Sequence, residues 1–195
     1  MGFFRRLFSD KPEILNIDRN SWVFIANNIT KEFAKGRDHW FGELILVFEN
    51  SIKEHASPIN IMRKQLDRDS DNTIKAYQLY LFSELMANKR YIPPASGKDF
   101  ADILYAQVAG KDLESVVEIF RQYHEVADDA ATKVFRFSGD IAKYITGNKA
   151  PLIESVLVGS TVPFFTIMTR LVIAESFGDR TLVKELENSM RSLMQ

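Results

Sequence analysis

PLIESVLVGSTVPFFTIMTRLVIAESF, residues Pro151 to Phe177, is the most apolar stretch of the chain, and the fold class turns on how it is read. It carries no charge from Ser155 to Thr169. Its apolar residues do not keep to one stripe but surround a helical axis, the pattern of a helix buried on all sides. A membrane span needs about 20 mostly apolar residues, and Ser155 to Ala174 approaches that with Arg170 as its one charge. Glu154, Arg170, Pro163 in mid-segment, the small polar run Gly159, Ser160 and Thr161, and the lack of a second such segment argue against a span. The stretch reads as the central core helix of a bundle. Pro163 lacks an N–H and crowds the preceding turn, so a kink or break is expected near Val162.

Around this helix the 195 residues suffice for one domain with a real core, and 46% hydrophobic residues, 15 of them Phe, supply its material. A net charge of -1 gives no global attraction to nucleic acid or to an anionic membrane. Cysteine is absent, which removes disulfides, thiolate catalysis and the common structural zinc sites, and fits a reducing cytoplasm.

Taken in order, residues 1–9 read as an amphipathic tail. On a helix Phe3 pairs with Leu7 and Phe4 with Phe8, beside Arg5 and Arg6, a pattern for partner docking or an interfacial membrane contact. The apolar run is too short and too soon charged for a secretory signal, and Arg6 stands where a myristoylation motif wants Ser or Thr. The domain proper spans 10–195. Asp10, Pro12 and Glu13 open a helix that Gly36 should stop. Asp38 should cap a second one, with Phe41, Leu44, Phe48 and Ile52 facing inward. A short helix is expected from Ile59 to Leu66, and another from Ser70 through Ile74, Tyr77, Leu81 and Leu85.

YIPPASGKD, Tyr91 to Asp99, predicts an extended connection between two helical layers. Asp99 starts the next helix, Gly110 ends it, and Asp112 caps the longest periodic run in the chain. That run includes Phe120, Tyr123, Val134, Phe137 and Ile141, and the Asp128-Asp129 pair leaves open whether it is one helix or a hairpin. Gly147 and Gly178 are the remaining stops, and Leu182, Leu186 and Met190 mark a final amphipathic helix. No stretch alternates like a strand. The fold class is therefore all-α, a single-domain bundle of seven to nine helices around a Pro-kinked helix at 151–177.

Catalytic signals are lacking. No serine lies in a nucleophile motif, and Ser160 in VGSTVP lacks the second glycine. Gly110 and Gly147 punctuate helices without forming a phosphate loop. His39 with Glu43, and His124 with Asp128, are four apart and can meet on a helical face, yet two such pairs fall short of a metal set. No metal or other cofactor is expected. Arg63, Lys64 and Arg68 are diluted by Asp67, Asp69 and Asp71, so nucleic acid is not an expected partner. Two functions remain. The first is a non-enzymatic cytoplasmic interaction protein, an adaptor, regulator or immunity-like binder, with a protein partner or a second copy. The alternative is a helical small-ligand binder or enzyme with a pocket beside Pro163, where His124, Asp128, Ser160 and Thr161 are the candidate contacts. A minor third is membrane-surface association through Phe3, Phe4, Leu7 and Phe8.

Overall fold

The computed structural model describes residues 19–54, 59–89, 91–92, 94–125, 130–148 and 152–193. Among them the chain is all-helical and contains no strand. The elements are α1 (Arg19–Glu54), α2 (Arg68–Lys89), α3 (Pro94–Ala109), a 3-10 turn (Gly110–Asp112), α4 (Leu113–Glu125), α5 (Ala130–Thr146), α6 (Leu152–Ser176) and α7 (Arg180–Leu193). α6 packs against α1, α2, α5 and α7, while α3 lies on α1 and α4 on α2.

The sequence leads one to expect a stop at Gly36, but α1 runs through it as one helix of 36 residues. Left-handed φ angles occur instead at Gly110 (+59°), Gly147 (+68°) and Gly178 (+70°), where helices do end. A glycine inside a helix costs about 1 kcal/mol. Phe33 and Trp40, buried on either side of it, each return more than that. Arg37, the next residue, is tied across to α2 by Asp71 at 2.9 Å and by Gln78 at 3.1 Å. The chain therefore stays helical where the glycine alone would let it turn.

Two further boundaries differ. Residues 59–67 form no helix. Met62 and Arg63 both donate their backbone N–H to Ile145 O, at 3.0 and 3.1 Å, so the segment is pinned to the carbonyl end of α5. Asp67 then caps α2, its Oδ1 accepting from the N–H groups of Asp69 and Ser70. The connection expected over 91–99 shrinks as well, because α3 begins at Pro94 and takes in Gly97 and Asp99. A proline with no N–H to lose fits the first helical position.

The long periodic run divides into α4 and α5, with Asp128 and Asp129 outside the described residues. Arg136 on α5 donates to Gln122 Oε1 on α4 at 2.8 Å, while the two helices pack mainly on α6 and α2 respectively. At the far end Asp179 accepts from Leu182 N–H at 3.0 Å to cap α7 and from the Tyr91 hydroxyl at 2.8 Å. Burial and the neighbouring carboxylate both push the Tyr91 phenol up.

α6 itself is long and apolar enough to cross a membrane by length and composition, but it is not enclosed. Ser155, Val158, Val162, Phe165, Thr169 and Ile173 are buried at spacings of three or four, a single stripe. Leu152, Ile153 and Val156 are exposed by 63% or more. The expectation of burial on all sides is thus corrected: four neighbours surround the stripe and leave the first turns open. The helix also continues through Pro163 instead of ending at Val162. A proline there costs about 3 kcal/mol, and the buried side chains of Val162 and Phe165 flank it on the side that packs.

Candidate functional site

Pro163 divides α6 into two kinds of surroundings. Around Trp40 of α1 the space is filled with rings from α1, α2, α5 and α6. Trp40 stacks on Phe165 at 4.5 Å and on Phe137 at 5.6 Å, and Tyr77 lies parallel to Phe137 at 4.1 Å. Two of the polar tips are matched as well. Trp40 Nε1 donates to Thr161 Oγ1 at 3.0 Å, and the Tyr77 hydroxyl meets Thr166 Oγ1 at 3.3 Å. Burial raises the Tyr77 and Tyr123 phenols, so both rings stay neutral in this core.

Toward α2 and the start of α5 the packing leaves a cavity of about 290 Å³ beside Pro163. Its apolar walls include Leu81, Val134, Val162 and Ile167. Lys133 reaches it from α5, and Glu84 and Arg170 enter it from α2 and α6. Lys133 is only 8% exposed, and its ammonium sits 5.0 Å from the centroid of the Tyr80 ring. Among the described residues it makes no ion pair. Arg170 donates from a terminal nitrogen to Glu84, both side chains being about one-third exposed, while its buried Nε–H has no acceptor.

The candidates from the sequence fall in different places. His124 packs edge-on to Tyr80 at 5.6 Å and to Phe120 at 4.6 Å, near the cavity but outside its lining. Burial, and secondarily the positive charge of Lys133, lower its pKa. Thr161 belongs to the filled side, accepting from Trp40 and donating to Val158 O at 2.8 Å. Ser160 is exposed and donates to Leu157 O at 2.7 Å. Both hydroxyls add bonds to carbonyls just ahead of the proline, whose missing N–H leaves the ladder one donor short. Asp128, Phe3, Phe4, Leu7 and Phe8 lie outside the described residues. Lys133, Glu84 and Arg170 are the site residues that sequence reasoning missed.

Elsewhere His39 borders a second cavity of about 200 Å³ between α1 and α6, with Gln78 and the unpartnered Thr169 hydroxyl within. Glu43 is exposed and does not line it. No group of three or more His, Cys, Asp or Glu among the described residues is arranged to hold a metal ion. Trp40, Ile45, Tyr80 and Phe82 are buried within the chain, and Val47 and Tyr105 are half-buried. The exposed large apolar side chains include Phe135 on α5 and Leu152, Ile153 and Val156 on α6. These two helices run close together: a Cβ added at Gly139 would lie 3.6 Å from Ser155 Oγ, and one at Gly159 would lie 3.5 Å from Ser138 Oγ. The two helices run antiparallel there, so Phe135, one turn before Gly139, lies farther along α6 than Leu152, Ile153 and Val156.

No family model matches this sequence, and no curated protein or solved structure matches it.

Proposed function

We propose that this chain is a non-enzymatic cytoplasmic interaction protein, an adaptor, regulator or immunity-like binder, that offers the first turns of α6 to an apolar surface of a partner protein or of a second copy. The observation that carries the reading is the exposure of Leu152, Ile153 and Val156 together on the first turns of α6, 63–66% each, with Phe135 exposed on the neighbouring α5. Large apolar side chains grouped on a surface mark association sites, whereas scattered ones do not. Val156→Glu tests it without touching the core, since substitutions on an open surface leave stability nearly unchanged. Light scattering across a concentration series and affinity capture with the wild-type chain as bait should both respond to that substitution. Identical association of the two proteins would sink the reading.

A second reading is favoured by the cavity beside Pro163: a helical protein that holds a small ligand there, with or without chemistry. Its polar and apolar lining is of the kind small-molecule sites use. Surface association with a membrane through residues 1–9 stands as a third, tested by deleting them and measuring partition to liposomes. The finer architecture proposed with these readings is a bundle of seven to nine helices around an axis bent at Pro163. Pro163→Ala sharpens the last point. A straight helix gains stability from the restored N–H, whereas a packing built on the bend does not.

A further inference from the structure

We propose that the cavity between α2, α5 and α6 binds a small monocarboxylate with an apolar body, its carboxylate held by Lys133 and Arg170. This rests on the ligand-pocket reading and assigns the class of ligand. The first ground is an unmatched cation. Lys133 is more than nine-tenths buried and faces the Tyr80 ring with no carboxylate among the described residues to meet it. A charge withdrawn from water is costly unless paired, and an incoming carboxylate supplies the pairing. The second ground is an unused donor: the Arg170 Nε–H is buried without an acceptor, while a terminal nitrogen of the same guanidinium is engaged by Glu84. A carboxylate takes such charge-assisted bonds well.

The balance of charge narrows the class. Among the described lining residues, Lys133 and Arg170 against Glu84 leave one net positive charge. One negative charge on the ligand closes that balance, while a phosphate dianion would overshoot it and face Glu84. The walls then define the rest of the molecule. Val162, Pro163 and Ile167 from α6 and Leu81 from α2 are apolar, and the Tyr77 and Thr166 hydroxyls in the lining bond to each other at 3.3 Å, so a mainly hydrocarbon or aromatic body fits, with the Tyr80 hydroxyl as the further polar group. A volume of about 290 Å³ is small for a ligand site and corresponds to roughly ten water-sized volumes. A chain of six to eight carbons, or a single ring, suits it.

Sodium octanoate and octan-1-ol serve as probes in titration calorimetry on the full chain. The two share an alkyl body and differ in charge. The wild type should bind octanoate at least about tenfold more tightly than octanol, the effect expected of a charge-assisted contact. Lys133→Met, which keeps the length of the stem, should abolish that preference, and Lys133→Arg should restore most of it. Ile167→Trp should exclude both probes while circular dichroism reports an unchanged helical fold. Equal affinities in the wild type that Ile167→Trp abolishes would overturn the carboxylate and leave the ligand pocket standing. Binding of neither probe to the wild type, or octanoate binding indifferent to Lys133→Met and Ile167→Trp, would overturn both. The wild-type comparison needs no variant to fold.

Discussion

The two sides of Pro163 are built from the same helix and end differently. Around Trp40 of α1, stacked rings fill the space and the indole N–H finds its acceptor in Thr161. Toward α2 and α5, a cavity remains and a cation is left facing a ring. The difference teaches what the volume of a side chain accomplishes and what its charge prevents. Rings of Trp, Tyr and Phe can close a gap between helices, because they are large, flat and carry at most one polar atom to satisfy. A buried lysine must keep its ammonium near something polarizable or polar, and the space around it stays open.

The largest expected break in that comparison is Trp40→Ala. It removes two stacked contacts and empties the filled side, and should cost about 3–5 kcal/mol in urea denaturation. Thr161→Val sharpens the same side by leaving its volume intact and taking the acceptor of Trp40 Nε1 together with the hydroxyl's own bond to Val158 O. A loss of about 1–3 kcal/mol is expected, and no loss would mean that the indole finds another acceptor. On the open side the sign should reverse. Lys133→Met ought to leave unfolding stability unchanged or raise it by up to about 1 kcal/mol, because a buried charge with no counter-charge among the described residues is removed. A clear destabilisation there would mean that the ammonium is better satisfied than its surroundings indicate.

The smallest effect concerns His124 at the edge of the cavity, near Lys133 on α5 and the ring of Tyr80 on α2. Its folded pKa lies below the unfolded value, so the unfolded chain takes the proton first as pH falls. Stability from this group is present above the ordinary histidine pKa and declines as pH drops through about 6.5. Thermal midpoints between pH 7.5 and 5.5 should show a shallow slope on this account, and His124→Gln should flatten it.

Much of the fold was legible because its periodicity is strong. The stripe of Phe41, Leu44 and Phe48, the stops at Gly110, Gly147 and Gly178, and the absence of strands all follow from spacing and turn chemistry. Gly36 misled because residue type alone cannot separate a stop from a tolerated interior glycine. The distinction lies in phase: Phe33, Arg37, Trp40 and Leu44 continue one stripe across Gly36, so the pattern never restarts. Pro94 misled for the opposite reason, since two adjacent prolines read as a connection when the second is a helix start.

The open site was legible in one detail that was passed over. Lys133, Phe137, Ile141 and Ile145 recur at intervals of four and all are buried, so a charge stands in line with the core stripe of α5. What no spacing could supply is that Glu84 and Arg170, 86 residues apart, meet at the same cavity. The exposed face of α6 was equally hidden. An apolar residue reads the same whether a neighbour covers it or not, and only the arrangement of the other helices decides.

The unbroken length of α1 has a consequence for the chain as it is made. Its 36 residues span about 54 Å, yet the residues that cover its apolar side come much later. Trp22 waits for Phe100, and Trp40 for Thr161, 121 positions downstream. At the usual pace of about 5–20 residues per second, Trp40 is out of the ribosome's active centre for roughly 6 to 24 seconds before its partner is added. During that interval the first long helix carries an uncovered row of Trp, Ile and Phe, a natural holding point for a chaperone that grips nascent chains.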